Sequence, residues 1–114
     1  MIVVTAAPTT AFAALADPTR SGIVDLLARR GELAAGDISA GFASSASAIS
    51  QHLRVLREAG LVSVEKREQQ RVYRLDAGVI GQVEGWLSDR ARLWNARLDN
   101  IDAYLEKART GEKK

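Results

Sequence analysis

Between Ser45 and Gly60 the chain reads SASAISQHLRVLREAG, and its apolar residues Ala46, Ile49, Leu53 and Leu56 recur at three- and four-residue intervals. That spacing predicts a helix over residues 45–59 with one buried stripe, begun by Ser45 as N-cap and stopped by Gly60. The opposite face is unusual. At 100° per residue, Ser47, Gln51, Arg54 and Glu58 form one row flanked by Ser50, so the first two turns present short hydrogen-bonding side chains in place of long charges. Upstream, residues 10–16 read as a short first helix. Asp17 and Pro18 then restart the chain, with aspartate accepting at the N-cap and proline at the first helical position, where no N–H is needed. Ile23, Leu26, Leu27 and Arg30 continue this second helix to Gly31, and residues 35–41 make a third that carries Ile38 inward.

After Gly60 the period changes from 3.6 to 2. In LVSVEKR and RVYRL, Val62 and Val64 alternate with Ser63 and Glu65, and the two runs are joined by Glu68, Gln69 and Gln70, which predicts a two-stranded hairpin over residues 61–75. Its loop contains neither glycine nor asparagine to supply positive φ. Asp76 caps a final helix expected to reach Ala108. Within it Ile80, Val83, Leu87, Ala91, Trp94, Leu98, Ile101 and Leu105 are spaced close to a heptad seam. Trp86, Leu93 and Tyr104 lie beside the seam, so this helix carries more apolar surface than one small core covers. Burial yields about 25 cal/mol per Å² of apolar area, and a partner helix from a second copy is the economical cover.

The length, 114 residues, is that of one domain. Its expected limits are residues 10–108, with an N-terminal extension at 1–9 and a tail at 109–114. Composition narrows the chemistry. There is no cysteine and a single histidine, His52, so neither a disulfide framework nor a thiolate or histidine-rich metal site is expected, and no cofactor is expected. The N-terminal MIVVTAAPTTAFAALA imitates a signal peptide but lacks a basic start and is interrupted by Pro8. No run approaches the roughly 18 apolar residues of a spanning helix, so the expected setting is the cytoplasm, with no membrane partner. Net charge is only +2, yet residues 54–74 hold six basic groups (Arg54, Arg57, Lys66, Arg67, Arg71, Arg74) against three acidic ones (Glu58, Glu65, Glu68). A local excess of three positive charges on an otherwise balanced chain points to a polyanion.

Two short helices, a serine-rich helix, a basic hairpin and a long helix make up a winged helix-turn-helix, mainly α with a small β-hairpin and a long C-terminal dimerisation helix. In that arrangement the second helix of the turn pair enters the major groove of double-stranded DNA, and its N-terminal side chains read base edges. Serine and glutamine are short enough to let the helix sit deep, and glutamine addresses adenine bidentately.

At the level of residues the chain resembles the ArsR/SmtB family of bacterial transcriptional repressors. The likeness runs through ALADPTRSGIVDLL, ELAAGDIS and, most specifically, SASAISQHLRVLREAGLV with the basic hairpin after it. It implies a homodimeric repressor on a pseudo-palindromic operator, with the first and last helices at the dimer interface and Val83, Leu87, Trp94, Leu98, Ile101 and Leu105 along the seam. Ser47, Ser50 and Gln51 match the positions such proteins use at base edges. The wing residues Arg67, Gln69, Gln70 and Arg71 would approach the backbone or minor groove. Arg54 is a candidate for a phosphate contact; Arg57 is the weaker one, its wheel angle turning it toward the core. The metal-sensing members carry a cysteine-rich ELCxCDL-type motif where this chain reads ELAAGDI, and others use aspartate and histidine on the last helix, where Asp89, Asp99 and Asp102 stand without histidine. The resemblance is therefore to a non-metal-sensing branch, in which an unknown small-molecule effector has room.

His52 lies at the margin of the buried stripe, where packing, DNA contact and proton-linked regulation are all open to it. Trp86 and Trp94 read as interface anchors before ligand stackers. Arg20, just after the Asp-Pro cap, has two roles open, a phosphate contact or an acidic partner. An enzyme is not expected, because no nucleophile and base, carboxylate pair or phosphate cradle is visible. The alternative is a dimeric protein-interaction module of the same fold that has lost specific DNA binding, although such a protein has little reason to keep Arg67, Arg71 and Arg74 beside a polar helix face.

Overall fold

The computed structural model describes residues 7–112. Most of the expected N-terminal extension (residues 1–6) and the last two residues of the expected tail lie outside the described residues. The elements are α1 (Thr9–Leu15), α2 (Pro18–Arg30), β1 (Glu32–Ala34), α3 (Ala35–Ala40), α4 (Ala46–Glu58), β2 (Val62–Arg67), β3 (Gln70–Leu75) and α5 (Ala77–Glu112). The chain divides into two compact units, Met1–Val83 and Glu84–Lys114.

The first unit is built where the apolar periods converge. Ile23 and Leu27 of α2, Ile38 of α3, Ile49, Leu53 and Leu56 of α4, and Leu61 before β2 are all fully buried, with Ala11 and Ala14 of α1 and Tyr73 of β3 closing the same core. Burying each large apolar side chain contributes about 1.5–3 kcal/mol. The predicted caps are in place. Asp17 accepts from the Arg20 amide at 2.9 Å, Ser45 from that of Ala48 at 3.1 Å, and Asp76 from that of Gly78 at 2.8 Å. Gly60 follows α4 at φ +77°, and a Cβ there would lie 2.8 Å from Val79 Cγ2, so both backbone and packing require glycine.

Several expectations are corrected. The expected hairpin forms, β2 against β3, but it is not the whole sheet: β1 also pairs antiparallel with β3, giving a three-stranded sheet in the order β1-β3-β2, with Leu33 opposite Tyr73 and Val64 on Tyr73's other side. A three-residue edge strand has no period of its own to detect. The last helix runs to Glu112, past Ala108. Ala46, placed on the buried stripe, is exposed in the first turn of α4, and Arg57 is exposed instead of turned toward the core. At the hairpin tip Glu68 itself adopts φ +56°, supplying the positive φ that no glycine or asparagine was present to give.

The second unit, from Glu84, is the continuation of α5. Here the guanidinium of Arg90 lies 4.3 Å from the centre of the half-buried Trp86 ring. The seam residues Leu87, Trp94, Leu98, Ile101 and Leu105 are exposed, as are Leu93 and Tyr104. Val83 behaves differently, for it is half-buried against the core of the first unit.

Candidate nucleic-acid interface

Helix α4 packs through Ile49, Leu53 and Leu56 and leaves Ser47, Ser50, Gln51 and Arg54 exposed. The stripe decides the face. Because three residues on one side are buried, the short polar side chains on the other are held outward by a helix that cannot roll without exposing its core side. None of the hydroxyls of Ser47 and Ser50 nor the Gln51 amide is engaged by another described residue. Arg54 pairs with Glu58 one turn on, at 3.1 Å.

The wing residues divide into two groups. Arg67 forms a bidentate pair with Glu32, at 2.6 and 3.2 Å, and reaches Glu65 at 3.0 Å. This contact spans the sheet from β1 to β2 across β3. It holds the Glu32 carboxyl below the usual carboxylate range and the Arg67 guanidinium above its ordinary value, the hydrogen bonds between them being the largest cause. Arg67 thus ties the sheet together. Gln69, Gln70 and Arg71, by contrast, line an open cleft of about 370 Å³ together with Ala34, Ala35, Gly36 and Asp37. Arg71 stands directly opposite Lys66 in the β2-β3 register, and neither makes an ion pair among the described residues. Like charges placed opposite each other on a hairpin are unfavourable unless an anion lies between or over them.

Lys66 was missing from the expected site residues. The signal lay in the loop: with Glu68 and Gln69 as a two-residue connection, Arg67 pairs with Gln70 and Lys66 must face Arg71. Within the chain the side chain of Arg20 donates to the carbonyls of Ala14 at 2.7 Å and Ala13 at 3.5 Å and meets His52 Nδ1 at 3.4 Å, with no carboxylate as its ion-pair partner among the described residues.

A helix projecting an uncharged hydrogen-bonding face, beside a hairpin with two unneutralised cations, is the equipment of a winged helix-turn-helix DNA binder. Residues 17–64 match the model of the bacterial regulatory protein arsR family. A relative from Mycobacterium tuberculosis, the HTH-type transcriptional regulator Rv2034, is 39% identical over 99 residues, spanning 87% of this chain and 89% of its own. The chain belongs to the arsR family. It is a winged-helix transcriptional regulator of that family, with the long C-terminal helix. The transcriptional repressor SdpR of Bacillus subtilis is 38% identical over 76 residues, covering 67% of this chain and 83% of its own. Among solved structures, the homodimeric winged helix-turn-helix DNA-binding domain of a possible ArsR-family regulator from Mycobacterium bovis superposes with a TM-score of 0.60 at 26% identity, over 74% of this chain and 77% of that one. Among the described residues of this arsR-family chain, no group of three or more His, Cys, Asp or Glu residues is placed to hold a metal ion, and no helix is long and apolar enough to cross a membrane.

Proposed function

We propose that the chain represses transcription as a homodimer on a pseudo-palindromic operator, reading bases with Ser47, Ser50 and Gln51 of α4 and anchoring the backbone with Lys66 and Arg71 of the wing. The observation that carries this is the outward, uncharged face of the first two turns of α4 above a fully buried stripe. Gln69 and Gln70 border the same wing cleft as Arg71, and Arg54 offers a phosphate contact once it leaves Glu58. Arg67 is assigned to the sheet, where its contacts with Glu32 and Glu65 hold it, and not to DNA. The exposed seam of α5 supports the dimer, as does the homodimeric state of the Mycobacterium bovis domain. Recognition helices one turn of B-DNA apart, about 34–36 Å, would follow. The work is binding, not catalysis, carried out in the cytoplasm without metal or cofactor.

Titration of two variants on a duplex selected from random DNA and on its scrambled counterpart tests the division of labour. Gln51→Ala should cost about 1–3 kcal/mol on the selected duplex and leave scrambled DNA and the salt slope unchanged. Arg71→Ala should weaken both duplexes alike and reduce the salt slope by roughly one unit for each phosphate no longer neutralised, about two in a symmetric dimer. Equal losses on both duplexes for Gln51→Ala, with an unchanged slope for Arg71→Ala, would overturn the assignment.

A further inference from the structure

His52 sits half-buried on the side of α4 away from the reading face, between Asp17 and Arg20. Three groups converge there. The guanidinium of Arg20 donates to carbonyls at the end of α1, Ala14 at 2.7 Å and Ala13, which also accepts the Ala16 amide, at 3.5 Å, and its Nη1 lies 3.4 Å from His52 Nδ1. Asp17 Oδ2, which accepts the Arg20 amide at 2.9 Å, lies 3.7 Å from the same ring nitrogen. One side chain therefore connects the end of α1, the start of α2 and the middle of α4.

The donor inventory sets which partner each form of the ring can take. A guanidinium has five donors and no acceptor, and it stays protonated. Arg20 can bond Nδ1 only where that nitrogen carries a lone pair, the form with the ring proton on Nε2; where Nδ1 carries the proton, Asp17 Oδ2 is the acceptor beside it. The carboxylate oxygen of Asp17 is an acceptor and can take nothing from a bare Nδ1. Add one proton to Nδ1 and both relations invert: the Nδ1–H now has Asp17 Oδ2 as its acceptor, and the imidazolium faces a second cation at Nη1. Arg20 loses an acceptor, and Asp17 is drawn between the ring and the backbone amide it caps. The arrangement is bistable in the sense that either Arg20 or Asp17, but not both, satisfies Nδ1.

We propose that His52 is a positioning residue operated by a proton: neutral, it locks α4 through Arg20 to α1 in the orientation that reads DNA, and protonated, it exchanges Arg20 for Asp17 and releases that lock. This deepens the DNA-binding reading above and rests on it. Among the described residues no other charged group forms a hydrogen bond or ion pair with the ring. The α1 helix brings no ionisable side chain, only its carbonyls, while Asp37 of α3, Glu65 and Lys66 of β2, and Arg54, Arg57 and Glu58 of α4 itself form no hydrogen bond or ion pair with His52. As the chain has one histidine, a change of imidazole charge between about pH 8 and about pH 5 has only one origin among its side chains of that class.

The test measures the ratio of affinities for the selected and scrambled duplexes across that range, for the full chain and for His52→Gln, whose side-chain oxygen still accepts from Arg20 but takes no proton. In the wild-type chain the ratio should fall by about fivefold or more toward low pH, the low end of ordinary coupling between two sites. His52→Gln should keep the high-pH ratio and lose the dependence. A ratio that is flat in the wild-type chain, or that falls equally in the variant, overturns the proposal. So does tighter binding of both duplexes at low pH in the wild-type chain alone, which would put the ring on a phosphate. The ring's ¹⁵N shifts at about pH 8 decide independently of DNA and of the variant's folding: Nδ1 should be bare and Nε2 protonated, and the opposite tautomer overturns the lock. A chain that binds no duplex at any pH removes the DNA-binding reading and the readout by the lock together, whereas bound DNA with no pH effect removes the lock alone.

Discussion

Helix α4 and the part of α5 beyond Glu84 carry nearly the same apolar rhythm and meet opposite fates. In α4, Ile49, Leu53 and Leu56 are at most 2% exposed, whereas in α5 Leu87, Trp94, Leu98, Ile101 and Leu105 are 40–60% exposed. Periodicity specifies that a helix has an apolar side. It does not specify what covers that side. For α4 the cover is α1, α2, α3 and β2 of the same chain. The seam residues of α5 beyond Glu84 are exposed, and exposed apolar surface of this kind is what an association face would present. The two polar sides differ as well: the first two turns of α4 show serine and glutamine, with Arg54, Arg57 and Glu58 only toward its end, whereas α5 beyond Glu84 shows the usual mixture of Asp, Glu, Lys and Arg. A helix that only has to be solvated takes long charges, and one that must approach another molecule closely does not.

The sharpest way to break this contrast is to alter the apolar side of each helix in turn. Leu53→Ala should destabilise the fold by about 2–5 kcal/mol, read from urea denaturation at a fixed protein concentration. Trp94→Glu combined with Leu98→Glu should leave the first unit folded by two-dimensional NMR and raise the dimer dissociation constant at least about 30-fold, matching the ~2 kcal/mol of an interface hot spot. Sedimentation velocity checks it, and a variant still dimeric at the wild-type concentration removes the seam as the interface.

Acid should separate the regions too. The Asp17 carboxyl is held below the usual range, chiefly by the hydrogen bond from the Arg20 amide, and Glu32 likewise by Arg67. Both groups belong to the first unit. Their contribution is fully present above the ordinary carboxylate range, near pH 4, and is lost as pH falls through the lowered values. Glu32 is exposed and Asp17 only half-buried, so the loss should be small, and Asp17→Asn with Glu32→Gln should flatten the dependence of urea midpoint on pH below about 4.5. The smallest effect is local. Glu68→Gly relieves a non-glycine residue at φ +56° and should raise stability by about 0.5–1 kcal/mol, leaving association unchanged. Destabilisation instead would show that the Glu68 backbone is not strained.

Much of the reading helix was legible along the chain, because a cap, a stripe and a stop are local features. Ser45, the buried Ile49, Leu53 and Leu56, and the outward Ser47, Ser50 and Gln51 all stand where the spacing puts them. The wing was legible only in part. Its strands follow from alternation, but Arg67 looked equivalent to Arg71 along the chain. What separates them is Glu32, 35 residues away, brought beside Arg67 by a strand too short to announce itself.

Residues close together in the chain were enough to dictate the helices, their caps, the class of fold and the polar character of the reading face, since each depends on neighbours within about one or two turns. Folding in three dimensions settled the rest: which cations are neutralised, that β1 completes the sheet, and that Arg20 meets the carbonyls of α1 and the ring of His52. These are pairings between distant segments, and a side chain's partner is set by what the fold brings within about 3 Å, which no local pattern encodes.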